Sequence, residues 1–198
     1  MEANCYVHMD LSELKELIDH AIGDCQWIIQ QNPKADLSEG DFERLLADCI
    51  SKRIGYNIVS PDPKEFAVFS QLSHYNNEKN EVNARVDILL AKPSDIEPCW
   101  DLNKKFKIYK SAESFAIELK YRHDNNRGCV TAAKNDIKKY SKYKDDSFYY
   151  SIVLLDKNEN TREHEKEILK YYKKKKIELG MSYGNKFFCK VLVKETDE

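Results

Sequence analysis

The chain has 198 residues, of which 41% are hydrophobic and 11% aromatic, enough apolar material for the core of a single domain. Glycine and proline are scarce, at 6 and 5 copies, and this composition excludes a collagen-like chain, a linker-rich array and a disordered segment. The formal charge of −2 hides an acidic half, with 9 Lys/Arg against 18 Asp/Glu in residues 1–100, and a basic half with 23 against 16, an asymmetry that suggests nucleic acid.

The first part of the chain predicts two amphipathic helices. Apolar residues recur at helical spacing over residues 10–31, and Asn32-Pro33 ends that helix. Ser38 can cap a second helix over residues 39–54, and Gly55 ends it.

The period then changes from helical to extended. Strands, helices and a further strand follow one another in a pattern typical of a mixed sheet between helices. We predict strands and helices over the following ranges: strands 66–75, 84–91, 106–109 and 114–122, helix 130–145, strand 148–155, helix 161–179 and strand 186–193. The sequence therefore predicts an α/β fold with a central mixed β-sheet flanked by helices, and one domain over residues 1–198.

Several classes of protein receive no support from the sequence. No apolar run approaches the length of a membrane span, and no secretory signal is visible, so we expect a cytoplasmic protein that does not enter a membrane. The six cysteines are widely spaced and suggest reduced thiols, and the scattered histidines do not indicate a metal site. No glycine-rich phosphate loop is present, so no nucleotide cofactor is expected.

Two apolar segments each carry an acid at their centre. In the first, Asp87 lies among aliphatic residues; in the second, Glu118 and Lys120 alternate with apolar neighbours and therefore share one face of a strand. If the two strands are neighbours, these three side chains converge. The alternative is structural: Asp87 would end a strand in a solvated loop, and Glu118 and Lys120 would be an ordinary polar pair on an exposed sheet face.

Such a cluster has a chemical use. Two carboxylates on opposing strands, with the carbonyl of Leu119 as a third ligand, can hold a hard divalent cation. A bound cation polarises a phosphoryl oxygen and lowers the pKa of bound water. The lysine can neutralise charge that develops in the transition state and orient the attacking water.

The pattern Asp87…Glu118-Leu119-Lys120 resembles the PD-(D/E)XK nuclease superfamily, which has the restriction-endonuclease-like fold. The resemblance covers about residues 38–156 and implies a restriction-endonuclease-like core with an extra N-terminal helix. It implies Asp87, Glu118 and Lys120 as catalytic residues, Asp87, Glu118 and the Leu119 carbonyl as metal ligands, and Mg²⁺ as the cofactor with Mn²⁺ as a substitute. The sequence departs from the family pattern in having Val86 where the motif has proline.

Two further features of the superfamily have counterparts in this chain. Many members carry a glutamate on the helix before the hairpin, which here implies Glu43 as a fourth catalytic residue; the alternative is an acid in the first turn of a helix, where it suits the helix dipole. Members also place basic residues on the helix after the motif. Lys134, Lys138 and Lys142 lie on one ridge there and are the candidate nucleic-acid-binding residues, unless they simply form a solvated face.

The distance in sequence from Asp87 to Glu118 is long for a simple hairpin, so residues 92–113 are predicted to be an insertion. The resemblance implies an Mg²⁺-dependent deoxyribonuclease that hydrolyses DNA phosphodiester bonds, an endonuclease rather than an exonuclease, in restriction, defence or repair. A homodimer would supply the two sites that double-strand cutting needs. Two alternatives remain: a catalytically silent nuclease-fold module that binds nucleic acid or a protein partner, and a protein-interaction domain without nucleic acid.

Overall fold

The computed structural model shows an α/β protein in which helices flank a mixed sheet. Two helices lie on one face of a five-stranded sheet and two on the other. The residues that the structure describes are 9–55, 66–71, 73–76, 81–99, 105–108, 113–140, 148–174 and 187–195.

Helices α1 (Leu11–Gln31) and α2 (Glu39–Ile54) occupy the two predicted helical ranges. Each begins with a capping box: the side chain of the N-cap residue accepts a hydrogen bond from the backbone N–H three residues later, and the acid at that later position accepts one from the backbone N–H of the N-cap residue. The N-cap residues are Asp10 and Ser38, and Gly55 ends α2 in the left-handed conformation with φ of 66°. Local hydrogen bonding and backbone conformation therefore determine both ends of α2, at the residues predicted.

The main sheet contains the strands β1 (Ala67–Ser70), β4 (Ile88–Ala91), β7 (Ser114–Lys120), β8 (Phe148–Asp156) and β9 (Phe187–Lys194). They follow one another across the sheet in the order β1-β4-β7-β8-β9. Strands β1, β4 and β7 pair antiparallel, and β7, β8 and β9 pair parallel. The pairing between neighbouring strands therefore changes from antiparallel to parallel at β7.

The hairpin predicted over residues 66–75 and 84–91 is divided in the structure. The part nearest the turn, β2 (Ser73–Asn76) and β3 (Glu81–Arg85), forms a separate two-stranded sheet. The break on the first strand is at Gln71, whose positive φ of 58° turns the chain out of an extended path. On the second strand the break falls at Val86 and Asp87, so Asp87 lies between two strands and not within one.

The predicted insertion over residues 92–113 also leaves the main sheet. A short 3₁₀ turn at Pro93–Asp95 precedes β5 (Ile96–Cys99), which pairs only with β6 (Lys105–Ile108) among the described strands. Proline lacks the donor that a central strand requires, and Pro98 accordingly lies in this two-stranded ribbon.

Helices α3 (Asn126–Tyr140) and α4 (Thr161–Lys174) cover the second face of the sheet. Helix α3 begins earlier than the predicted residue 130, because Asn125 accepts a hydrogen bond from the Gly128 amide and so starts the first turn. The predicted ends of these helices, residues 141–145 and 175–179, lie outside the described residues. Within the described ranges no helix combines the length and apolarity needed to cross a bilayer.

Each face of the sheet contributes to its own hydrophobic core. One core lies between the sheet and helices α1 and α2, and the other between the sheet and helices α3 and α4. Strand β7 contributes to both: Phe115, Ile117 and Leu119 point into the first core and Ala116 into the second. By strand alternation, Glu118 and Lys120 lie on the same face as Ala116, towards α3.

A buried carboxylate connects the ends of β7 and β8. Asp156, the last residue of β8, is 2% exposed. It accepts hydrogen bonds from the Tyr121 hydroxyl at 3.0 Å and the Asp124 amide at 2.8 Å. Its backbone N–H and C=O both bond to the side chain of Asn126, at 2.9 and 2.8 Å. This network holds the turn after β7 and the start of α3 against β8.

We predict that Asp156→Ala lowers the free energy of unfolding by about 3 kcal/mol, because the buried Tyr121 hydroxyl and the partly buried Asp124 N–H lose their acceptor. Urea denaturation followed by circular dichroism measures the loss. The control is Asp48→Ala, which removes an exposed acid paired with Lys52 on α2 and should cost less than about 0.5 kcal/mol. Equal losses in the two variants would contradict the assigned role of Asp156.

Candidate functional site

Asp87 is held against strand β7 at the point where the chain enters β4. The register pairs Ile88 with Ile117, so the residue before Ile88 lies beside the carboxyl half of β7. The backbone N–H of Leu119 donates a hydrogen bond to Oδ2 of Asp87 at 2.7 Å. The backbone carbonyl of Asp87 accepts a hydrogen bond from the backbone N–H of Gln71 at 2.9 Å. These two bonds fix the position and the orientation of the carboxylate.

Lys120, the last residue of β7, carries the ammonium group at the centre of the cluster. Its Nζ lies 3.8 Å from Oδ2 of Asp87, 3.3 Å from Oε2 of Glu118 and 3.1 Å from Oδ2 of Asp136. Its side chain is 15% exposed. Burial opposes the charged form, yet the attraction of Glu118, Asp136 and Asp87 outweighs it and raises the pKa of Lys120. The structure therefore brings together Asp87, Glu118 and Lys120.

Glu43 approaches the same cluster from helix α2 through an intermediate side chain. The side-chain amide of Gln71 donates hydrogen bonds through Nε2 to Oε2 of Glu43 at 2.6 Å and to Oδ1 of Asp87 at 3.4 Å. Burial raises the pKa of Glu43, and the negative charge of Asp87 raises it further, although the hydrogen bond from Gln71 acts in the opposite direction. Glu43 therefore faces the acids and is not a solvated residue of the first helical turn.

Sequence reasoning did not select two acids and an amide that belong to this site. Asp136 comes from α3, and Glu39 comes from α2, where its carboxylate accepts from the backbone N–H of Tyr121 at 3.1 Å. Gln71 connects Glu43 to Asp87. The sequence carries only an ambiguous signal for Asp136: it lies between Ala133 and Ile137, which are buried, so it is an acid at the edge of the apolar stripe of α3. Gln71 had no comparable signal.

The carbonyl of Leu119, predicted as a third metal ligand, accepts a hydrogen bond from Nζ of Lys120 at 2.7 Å. A carbonyl oxygen has two lone pairs, so this bond still leaves room for a second partner. In the described arrangement, however, the ammonium group lies against all three of the predicted ligands: Asp87, Glu118 and the Leu119 carbonyl.

The three lysines predicted to bind nucleic acid have different surroundings. The ammonium group of Lys134 pairs with Glu167 of α4 and lies 5.5 Å from the centroid of the Tyr171 ring. Lys134 is therefore directed towards α4, because α3 and α4 pack side by side. Lys138 is exposed, and Lys142 lies outside the described residues.

A second group of possible metal ligands lies in the turn after β7. One ligand atom from each of His123, Asp124 and Asp156 lies within 4.8 Å of the others. Nothing in the residue pattern predicts this group, because Asp156 is distant along the chain from His123 and Asp124. Asp156 already accepts hydrogen bonds on both oxygens, from Tyr121 and from the Asp124 amide, so internal contacts of the turn account for its position.

No family model matches the chain, and no curated protein or solved structure is significantly similar to it. A function for the chain must therefore be inferred from the geometry of the site. Its distinguishing feature is a largely buried lysine among acids that belong to a loop, a strand and two helices. Perturbed ionisable groups of this kind concentrate at functional sites, although structural ion-pair networks also contain them.

We predict that Lys120→Met, which keeps the apolar stem but removes the charge, lowers the free energy of unfolding by about 3 kcal/mol at neutral pH. The reason is that Asp87, Glu118 and Asp136 lose the cation that they share. Chemical denaturation in the presence of a chelator measures the change. The control is Lys52→Met on the surface of α2, which should leave stability nearly unchanged. A fully stable Lys120→Met protein would contradict the electrostatic role.

The raised pKa of Glu43 predicts a pH-dependent effect of Glu43→Gln. A carboxyl whose pKa is higher in the folded state costs no stability below its ordinary pKa, and the cost develops as the pH rises through the raised value. Glu43→Gln should therefore raise Tm at pH 7 relative to the wild type, and the difference should disappear near pH 4. Thermal unfolding at both pH values measures it. The control is Glu16→Gln, an exposed position of α1, and an equal rise there would contradict the assignment.

Proposed function

We propose that this chain is a metal-dependent nuclease with a restriction-endonuclease-like fold and that it hydrolyses phosphodiester bonds in DNA. The observation that supports the proposal is the contact of one ammonium group, that of Lys120, with Asp87 at the entry to β4 and with Glu118 on the neighbouring strand β7. Ion pairs alone do not require a function. An acid–acid–lysine set at the carboxyl end of β7, where sheets of this class bind ligands, supports one.

The order and direction of the elements also support this fold. A helix, α2, precedes the antiparallel strands β1, β4 and β7, and α3 then connects β7 to the parallel strand β8. The resemblance to the superfamily implies this same order. Helix α1 is then the extra N-terminal helix, and the ribbon of β5 and β6 occupies the insertion between the two motif segments.

The donor groups suit a hard divalent cation. Asp87 and Glu118 offer carboxylate oxygens, which are the ligands that Mg²⁺ and Mn²⁺ prefer, and the Leu119 carbonyl offers another oxygen. The surrounding charge also suits a cation, because Lys120 is attracted by the carboxylates of Glu118, Asp136, Asp87 and Glu39. A single ammonium group leaves this cluster with an excess of negative charge.

In the proposed mechanism a bound Mg²⁺ supplies Lewis-acid activation of the phosphoryl group and of a bound water. Lys120 places its ammonium group beside the non-bridging phosphate oxygens and stabilises the charge that develops there. The backbone N–H of Leu119 orients the Asp87 carboxylate, which would hold the cation. Glu43, with its raised pKa, is suited to hold a water molecule or a proton close to Asp87 through Gln71.

We expect wild-type protein to cleave DNA in Mg²⁺ or Mn²⁺ and not in a chelator, and Lys120→Ala and Glu118→Gln to lose at least about 100-fold in single-turnover rate. DNA binding by Lys120→Ala should remain close to that of the wild type, as measured by a titration in Ca²⁺. Lys138→Ala should instead weaken binding and reduce its salt dependence.

The control for the cleavage assay is Asp48→Asn, which alters an exposed acid–lysine pair of α2 and should cleave at the wild-type rate. Wild-type rates in Lys120→Ala would refute the catalytic assignment. If the wild type binds DNA but cleaves neither single- nor double-stranded substrates, the chain is the silent binding module. If it does neither, the proposal fails altogether.

A further inference from the structure

Among the residues that the structure describes, Asp136 is the acid nearest to the Lys120 ammonium, and it belongs to a different layer of the structure from Asp87 and Glu118. It lies on α3, and its Oδ2 atom is 3.1 Å from Nζ of Lys120, compared with 3.3 Å for Glu118 and 3.8 Å for Asp87. The Oδ2 atom is buried and receives no hydrogen bond, so the contact with the ammonium is an ion pair without hydrogen-bond geometry. A buried carboxylate oxygen in this state needs a nearby positive charge.

The two acids of the proposed metal site cannot serve two cations equally well. In the structure the ammonium group of Lys120 contacts Asp87 and Glu118 directly. A divalent cation held by these carboxylates would neutralise them and repel the lysine, so the lysine would need another anion to stay beside the phosphate. Asp136 is the described carboxylate that contacts Lys120 from outside the predicted ligand set.

The packing of α3 fits this role. Ala133 and Ile137, on either side of Asp136 in the helix, are buried in the core between α3 and the sheet, so the backbone that carries Asp136 is fixed relative to β7. Helix α3 is further anchored at its start by the hydrogen bonds between Asn126 and Asp156. A carboxylate on such a support can hold a flexible lysine side chain in one orientation.

We propose that Asp136 is a positioning residue for Lys120: it holds the ammonium group in place when Asp87 and Glu118 bind a divalent cation, and it is not itself a metal ligand. The inference rests on the proposed nuclease function and extends it. It predicts that Asp136 affects the chemical step through Lys120, and leaves both cation affinity and DNA affinity nearly unchanged.

The test combines a binding readout with a kinetic one. Calorimetric titration with Mn²⁺ in the absence of DNA should give Asp136→Asn an affinity within about twofold of the wild type, while Asp87→Asn should bind at least about tenfold more weakly. Single-turnover cleavage in Mg²⁺ should be about 10- to 100-fold slower in Asp136→Asn, with unchanged DNA affinity in Ca²⁺. Asp136→Glu should recover part of the rate, because it restores the charge.

Two further variants separate positioning from a general structural effect. In a Lys120→Ala background, Asp136→Asn should cause no additional loss of rate, because its effect passes through the lysine. Asp48→Asn, an exposed acid that also pairs with a lysine, should cleave at the wild-type rate.

Several outcomes would overturn the inference. A loss of Mn²⁺ affinity in Asp136→Asn as large as that in Asp87→Asn would make Asp136 a ligand. Wild-type cleavage by Asp136→Asn, or a further loss of rate in the Lys120→Ala background, would remove the positioning role while leaving the nuclease proposal intact. Absence of cleavage and of Mn²⁺ binding in the wild-type protein would instead reject the nuclease proposal, and this inference with it.

Discussion

A strand that is covered on both faces can carry charged side chains only where they neutralise one another, and β7 is such a strand. Residues Ser114–Leu119 of β7 are buried, yet its last residues include Glu118 and Lys120. The charges are tolerated because Asp87 arrives from the entry to β4 and Asp136 from α3. The other elements around β7 are therefore arranged so that its polar end is compensated from more than one direction.

The same end of β7 is fixed by a second polar network. Tyr121 directly follows Lys120, and its hydroxyl donates to Asp156 at the end of β8. Because β7 and β8 are parallel, their carboxyl ends lie at one edge of the sheet, and the Lys120 cluster and the Asp156 network are neighbours there. On the other face of β7, the buried side chains of Phe115, Ile117 and Leu119 pack in the core beneath α1 and α2 and keep the strand in place. Rigid support from both directions is what a precisely oriented lysine requires.

The sequence predicted the fold well where local chemistry decides the structure. The capping boxes, the end of α2 at Gly55 and the buried run of β8 follow from residue types and spacing. Strand alternation likewise predicted that Glu118 and Lys120 share one face of β7, where their side chains pair. These features follow from short-range rules, whereas Asp87 lies between β3 and β4 and reaches the cluster from outside a strand.

The sequence could not predict features that depend on contacts between distant segments. The division of the hairpin depends on the left-handed backbone of Gln71, which glutamine seldom adopts and which no residue nearby announces. The place of Asp136 depends on how α3 is rotated against the sheet. Its position beside an apolar stripe is equally typical of an ordinary solvated acid, so only the packed structure distinguishes the two.

The hydrogen bond from the backbone N–H of Gln71 to the backbone carbonyl of Asp87 closes the base of an excursion, the segment between these two residues that contains β2 and β3. Residues beyond that base do not set the register of β4 against β7, which begins at Ile88. The excursion can therefore lengthen or shorten without moving Asp87, since loop-closure entropy changes only slowly with loop length. Such modularity would let descendants of this chain acquire different surface arms while inheriting an unaltered acidic centre.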